Sequence, residues 1–294
     1  MMRSAYISIV GRPNVGKSTL LNAILGEKIA IVSKKPQTTR NRIMGVHTVG
    51  ETQFVFLDTP GIHNPRTDLG KFMVDAAKGA IGDADLAILV VEPHGNVGEI
   101  EQKIIGKIRK CQIPAILVIN KTDAFDAQKI GDTILAYSAE FDFAAVVPLS
   151  AKNNQGVDIL IEEASKHTQE MPWLFPEDMI TDQPDRQIAA EIIREKLLRT
   201  LDREVPHGTA VVVEEFLEEK TMLRIRANIY CEKESHKGII IGHKGAALKL
   251  VGTKARQDLE AFFGCKVFID LWVKVKENWR DNPTVVRNFG YTKD

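Results

Sequence analysis

Residues 11–19, GRPNVGKST, constrain the fold more than any other stretch of this 294-residue chain. A short apolar, β-prone run at residues 5–10 leads in, and the helical pattern LLNAIL leads out. Strand, glycine loop and helix in that order turn backbone N–H groups inward at a helix N-terminus, where phosphate oxygens gain hydrogen bonds and favourable potential. The spacing G-x-x-x-x-G-K-[ST] assigns Gly11, Arg12, Pro13, Asn14, Val15, Gly16, Lys17, Ser18 and Thr19 to a phosphate site, with Lys17 reaching the β- and γ-phosphates and Ser18 binding Mg2+. A strand feeding such a P-loop predicts an open α/β domain, doubly wound around a mainly parallel sheet.

Later strands end in residues that suit the same ligand. TQFVFLDTPG places Asp58, Thr59, Pro60 and Gly61 at the carboxyl end of a buried run, on the crevice side of such a sheet. Asp58 is suited to hold magnesium through water, and the Gly61 N–H to sense a γ-phosphate. AILVINKTD ends with Asn120, Lys121 and Asp123. A carboxylate at position 123 accepts from guanine N1–H and from its exocyclic amino group, a donor pair that adenine does not present, so this block selects GTP over ATP. VVPLSAKNNQG brings Ser150, Ala151 and Lys152 to another strand end, where they can close over the base.

Between the P-loop and the second strand, SKKPQTTRNRIMG is polar and basic without an apolar period, and it reads as a mobile switch loop. Thr39 is favoured as its Mg2+ ligand because it directly precedes Arg40, where strand character returns; Thr38 is the alternative. After Gly61 stands Ile62, where Ras-like enzymes carry a glutamine that orients the attacking water. Ile62 is expected to pack against the domain instead, which makes hydrolysis slow without a stimulator.

With 44% apolar residues the chain can bury two cores, and a second domain is expected. Three dispersed cysteines, Cys111, Cys231 and Cys265, suit neither a disulfide framework nor a zinc site, so a reducing cytosol fits. No run of about eighteen apolar residues occurs, which argues against a membrane span. The closing helix of the first domain has apolar residues at 157, 160, 161 and 164. The proline-rich PWLFPEDMITDQPDR follows, with Trp173, Leu174 and Phe175 suited to pack it down. The boundaries expected are a nucleotide domain at 1–175, a linker at 176–185 and a second domain at 186–294.

The second domain reads α-β-β-α-α-β, the order of a small α+β type II KH module. Residues 186–200 are helical with Ile188, Ile192, Leu197 and Leu198 on one side. Gly-x-x-Gly occurs three times, at Gly79, Gly95 and Gly242, about as often as chance allows. Only Gly242, His243, Lys244 and Gly245 combine a cationic interior with helices on both sides. The surrounding residues 237–256 carry five Lys or Arg and no acid, although the whole chain is neutral, with 39 basic and 39 acidic residues. A KH loop clamps single-stranded RNA because glycines let the sugar-phosphate backbone approach. The RNA-binding set expected is Lys237, Gly238, Ile241, Gly242, His243, Lys244, Gly245, Lys249, Lys254, Arg256 and Arg280, with Lys276 and Trp279 as further tail contacts. Phe262, Phe263, Phe268 and Trp272 read as core.

The four nucleotide blocks, in this order and spacing, resemble the translation-factor-like small GTPases. Together with REKLL, EVPHG, IIIGHKG, WVKVKENWRDN and RNFGY, they make the chain similar to the Era family of ribosome-assembly GTPases nearly end to end. The resemblance implies a GTP-hydrolysing domain followed by a type II KH domain, binding near the 3′ end of 16S rRNA and a role in 30S subunit assembly. It also implies a cytoplasmic monomer with peripheral association at the membrane. Asn14 matches a position that related GTPases use to hold K+ in place of an arginine finger, so the catalytic set expected is Asn14, Lys17, Thr39 and Gly61. The alternatives are an RNA-binding module with a static nucleotide site, against which the intact Lys17, Ser18, Asp58 and Asp123 argue, and a membrane-associated cell-cycle regulator.

Overall fold

In the computed structural model, which describes residues 1–33, 35, 38–201 and 205–291, the chain divides into two compact units. One comprises Met1–Ala30, Thr39–Pro65 and Lys71–Asp182; the other comprises Ile31–Thr38, Arg66–Gly70 and Gln183–Asp294. Residues 34, 36 and 37 of the expected switch loop, and Glu204 of EVPHG, lie outside the described residues.

As far as residue 182 the elements are β1 (Arg3–Val10), α1 (Lys17–Leu25), β2 (Ile43–Val49), β3 (Thr52–Asp58), α2 (Asp68–Gly82), β4 (Leu86–Val91), α3 (Glu99–Cys111), β5 (Ala115–Ile119), α4 (Ala127–Glu140), β6 (Ala145–Pro148), α5 (Val157–Ser165) and β7 (Gln169–Glu170). The strand order is β2-β3-β1-β4-β5-β6, with β7 antiparallel to the start of β1. β2 runs antiparallel to β3, and β3, β1, β4, β5 and β6 are mutually parallel. LAILVV of β4 and AILVI of β5 are buried at every position, as strands covered on both faces must be. One face packs Ile7, Leu20, Phe56 and Ile88, and the other Val10, Ile81, Leu89 and Ile108. Successive strands go to opposite sides of β1, so the ligand crevice opens beyond the carboxyl end of β1.

In α5, Val157, Leu160 and Ala164 are buried and Ile161 partly so, as the spacing predicts. The proline-rich stretch after it is strapped to the sheet. Leu174 N–H and Phe175 N–H donate to Gln53 Oε1 at 2.8 and 2.9 Å, and Gln53 Nε2 donates to the Phe175 carbonyl at 2.9 Å. Val46 N–H donates to the Ile180 carbonyl at 2.8 Å, and Thr181 Oγ1 to the Met44 carbonyl at 2.7 Å.

The second unit is built from α6 (Asp185–Thr200), β8 (Ala210–Glu218), β9 (Met222–Cys231), α7 (Glu234–Ile241), α8 (Ala246–Phe263), β10 (Lys266–Val275) and α9 (Pro283–Asn288). The first six follow the α-β-β-α-α-β order. Its sheet is β10-β9-β8, with β10 parallel and β8 antiparallel to β9. Ile192, Leu197, Ile225, Ile229, Val251 and Leu259 meet in its core.

Three expectations for this unit are corrected. First, α6 is not one-sided: Arg194, Glu195 and Lys196 are buried as well as the apolar residues. Val32, Thr38 and α8 cover the side that should face water. Glu195 Oε1 accepts from Val32 N–H at 3.1 Å, Arg199 Nη2 donates to the Val32 carbonyl at 2.9 Å, Arg194 donates to the Thr38 carbonyl, and Lys196 pairs with Asp258. Burial of these charges is offset by ion pairs of Arg194 with Glu191, of Lys196 with Glu195 and Asp258, and of Arg199 with Glu195. Second, Phe262 and Phe263 do pack on the core, but Phe268 and Trp272 are 47% and 57% exposed. Strand alternation sends Val267, Ile269, Leu271 and Val273 inward and the even positions outward. Third, Trp279 is fully buried and donates Nε1–H to the Gly208 carbonyl at 2.9 Å, so it offers no surface to RNA. Among the described residues no helix is long and apolar enough to cross a membrane.

Candidate functional site

The loop between β1 and α1 closes on Lys17, the first residue of α1. Gly16 at φ 102° and ψ 23° turns the chain into the helix, a conformation that side chains disfavour. The buried Lys17 Nζ donates to the carbonyls of Gly11 at 3.2 Å and Arg12 at 2.9 Å. Burial lowers its pKa to about 8, against the pull of the nearby Asp58 carboxylate. Ser18 Oγ lies 2.7 Å from Thr39 Oγ1 and donates to Asp58 Oδ2 at 2.6 Å. Burial raises Asp58 to about 6 even though Lys17 and hydrogen bonds from Ser18 and Thr59 pull it down. Asp58 Oδ1 is buried with no hydrogen-bond partner among the described residues. Two hydroxyls and a carboxylate with an orphaned oxygen are the hard-oxygen donor set that Mg2+ takes. Thr38 is not part of it, because its hydroxyl donates to the Lys35 carbonyl at 2.7 Å.

The DTPG segment is fastened to the same loop. Thr59 Oγ1 donates to the Ile9 carbonyl at 2.9 Å, and Ile62 N–H to the Gly11 carbonyl at 3.2 Å. Gly61 lies so close to Pro13 that a Cβ would stand 2.6 Å from its Cα. Pro60 is buried beside Thr59. Ile62 is 6% exposed and packs with Val10 and Ile81, as expected, so it has no part in orienting water.

Asn120 ties the remaining pieces together. Its Nδ2 donates to the Val15 carbonyl at 2.8 Å, and its Oδ1 accepts from Lys121 N–H at 2.8 Å and Ala151 N–H at 3.0 Å. Ser150 Oγ donates to Asp123 Oδ1 at 2.7 Å, which fixes the carboxylate that would read guanine. Lys121 Nζ donates to the Asn14 carbonyl at 2.7 Å and pairs with Glu92, a partner that no local motif announces. Asn14 is exposed at φ 68°, and Lys152 is exposed next to Ala151. Arg12 departs from the rest of its loop, because its guanidinium pairs with Glu101 of α3.

In the second unit, Gly242 at φ 72° and Gly245 at φ 79° bracket the exposed His243 and Lys244, and α8 starts directly after. Lys237, Gly238 and Ile241 lie on α7, where Lys237 Nζ stands 3.9 Å from Glu234. Lys249 and Arg256 are seven residues apart and share one face of α8; Lys254 is turned away from it. Arg280 is held by Glu232, its Nε 3.1 Å and Nη2 2.5 Å from the two carboxylate oxygens, so its charge is already spoken for. The other two Gly-x-x-Gly matches resolve differently: Gly79 and Gly82 are inside α2, and Gly98 packs against Arg12.

A family model described as 50S ribosome-binding GTPase matches residues 6–121, and one described as KH domain matches residues 204–280. GTPase Era of Clostridioides difficile is 50% identical over 294 residues, covering 99% of each chain. GTPase Era of Ruminiclostridium cellulolyticum is 48% identical over 290 residues, covering 98% of this chain and 97% of its own. Among solved structures, Era in complex with MgGDPNP and nucleotides 1506–1542 of 16S ribosomal RNA superposes with a TM-score of 0.96 at 41% identity, over 100% of both chains. A variant of Aquifex aeolicus Era bound to GDP·AlF4- gives a TM-score of 0.96 at 41% identity, over 99% of this chain and 100% of its own.

Proposed function

The chain belongs to the Era family of GTPases, and on that premise we propose that it is a GTP-hydrolysing switch that binds 16S ribosomal RNA near its 3′ end and acts in 30S subunit assembly. One observation carries the nucleotide half: Ser18 Oγ, Thr39 Oγ1 and Asp58 Oδ2 converge beside the buried Lys17. Lys17 holds the β- and γ-phosphates, Ser18, Thr39 and Asp58 hold magnesium directly or through water, and Asp123 reads the base. Magnesium, when bound, supplies neutralisation of phosphate charge. The Thr39 main chain and the Gly61 N–H sense the γ-phosphate, so both respond to its loss.

No side chain at position 62 orients water, so basal turnover is slow. We assign Asn14 the task of holding a potassium ion in place of an arginine finger. Exchange of potassium for sodium in a turnover assay tests that assignment, and an unchanged rate removes it. Single-stranded RNA enters along the GHKG loop, with Lys244 and the Lys249–Arg256 face of α8 neutralising its backbone. The chain acts as a cytoplasmic monomer on the 30S subunit; peripheral membrane contact is a further family trait.

The deciding experiment measures binding of a 16S 3′-end oligonucleotide to the full chain in GDP and in a GTP analogue. Coupled sites require reciprocity, so RNA must change nucleotide affinity by the same factor that nucleotide changes RNA affinity. Absence of RNA binding in both states overturns the reading.

A further inference from the structure

The nucleotide site contains an ion pair that phosphate chemistry does not call for. Arg12, second residue of the phosphate loop, turns its guanidinium away from the cradle and pairs with Glu101 in the first turn of α3, 89 positions along the chain. The Glu101 side chain is only 6% exposed, so the guanidinium is the partner that meets its carboxylate out of water. Space for the guanidinium comes from Gly98, the N-cap residue just before α3. Gly98 has φ −85° and ψ 169°, ordinary extended backbone that any residue adopts, so conformation does not require glycine there. A Cβ at 98 would overlap Arg12 Nη2, 3.0 Å from Arg12 Cζ and 2.8 Å from Glu101 Oε2, so the guanidinium would have to leave its present place. Tyr137 of α4 is buried close by, its phenol pushed up by burial and by the Glu101 carboxylate and so kept neutral. The Arg12 carbonyl in turn accepts from Lys17 Nζ at 2.9 Å. The residue whose side chain is moored to α3 is therefore one whose main chain places the phosphate-binding ammonium.

We propose that Glu101 is a positioning residue for nucleotide binding: it clamps Arg12 in the space left by Gly98, and the clamped loop holds Lys17 where the β-phosphate binds. This rests on the nucleotide-binding reading above. Because Lys17 holds the β-phosphate of both nucleotides and also the γ-phosphate of GTP, loss of the clamp weakens both, GTP at least as much as GDP. Guanine selectivity, set around Asp123, is unchanged.

The test titrates the full chain with fluorescent GDP and GTP analogues and records its melting temperature in parallel. Glu101→Gln, which keeps side-chain volume, and Gly98→Ala each weaken both nucleotides about tenfold, with thermal unfolding still cooperative. Arg12→Ala does the same, and adding Gly98→Ala to it has no further effect, because the atom that the new methyl displaces is gone. Arg12→Lys restores part of the affinity with Glu101 present and none with Glu101→Gln. Wild-type affinity in Glu101→Gln, or an equal Gly98→Ala penalty with and without the Arg12 side chain, overturns the clamp while leaving GTP binding intact. A wild-type chain that binds neither nucleotide overturns both.

Discussion

The hydroxyls of Ser18 and Thr39, 21 positions apart, lie 2.7 Å from each other, and Ser18 also reaches Asp58. If that meeting point is the magnesium site, Thr39→Ala should raise the magnesium concentration needed for half-maximal turnover and cut GTP hydrolysis at least tenfold, on the order of 1.4 kcal/mol. On that assignment GDP affinity should change little, because GDP lacks the γ-phosphate that Thr39 is proposed to engage. Thr38→Ala should stay close to wild type. Magnesium titrations of the two variants side by side check this, and equal defects would deny Thr39 its special place.

The buried pair in the phosphate site predicts an unusual stability profile. Asp58, raised to about 6 from 3.8, binds its proton more tightly in the folded chain, so its contribution to stability falls as pH rises from about 4 through 6. Lys17, lowered to about 8 from 10.5, gives up its proton more readily when folded, so stability recovers as pH rises from 8 toward 10.5. In chain free of metal and nucleotide, these two groups produce a trough between about pH 6 and 8, at most about 3 kcal/mol deep on either side. Denaturant titrations across pH should show it. The rise in melting temperature caused by magnesium and GDP should be larger at pH 7 than at pH 5.

Asp123 owes its orientation to Ser150, whose hydroxyl donates at 2.7 Å. Asp123→Asn keeps an acceptor for N1–H but turns an amide donor toward guanine's exocyclic amino group, and should lower GTP affinity by at least about a hundredfold, while xanthosine triphosphate, with a carbonyl oxygen in place of that amino group, binds better. Ser150→Ala should lose roughly three- to tenfold without any switch in base preference. Competition between the two nucleotides separates these outcomes.

In the second unit, Gly242→Asp places a side chain at φ 72° and ψ 175°, with its Cβ 2.7 Å from that of Ala247, and adds a negative charge where phosphate is to pass. RNA affinity should drop by more than tenfold, whereas basal GTP hydrolysis should persist. Filter binding and turnover on one preparation test both halves, and loss of both activities would contradict their separation.

Trp279 is a structural residue. Its indole is fully buried, bonded to the Gly208 carbonyl and packed 5.3 Å from the Phe289 ring and 6.1 Å from Tyr291. Trp279→Ala should destabilise the C-terminal unit by about 3–5 kcal/mol. Phe268→Ala, on the exposed face, should cost under about 1 kcal/mol. Equilibrium denaturation distinguishes the two.

The sequence was most legible where backbone chemistry dictates it. Glycines and a lysine at fixed spacing after a strand have few structural meanings, and the predicted order of elements around Lys17, Asp58 and Asp123 is the order found. Legibility failed wherever the deciding partner lies far along the chain. Nothing near Arg12 announces Glu101, and nothing within α6 says that Val32 and Thr38 will cover its charged side. Phe268 and Trp272 differ for another reason: large aromatics suggest a core, but they share their face of β10 with Lys266, Asp270 and Lys274, and that alternation of charge marks the outer side. Trp279 was misread because an aromatic flanked by Asn278 and Arg280 looks like surface until the Gly208 carbonyl that satisfies its N–H is known.

The strap at residues 174–181 has a consequence for how this protein avoids itself. β2 closes one side of the first sheet, and its Val46 N–H and Met44 carbonyl would otherwise be open to a strand from another molecule. Ile180 and Thr181 occupy those groups. A chain cut after residue 175 would keep every phosphate-site residue and still bare that edge, inviting intermolecular β-pairing, whereas one ending at 182 would keep its own guard in place.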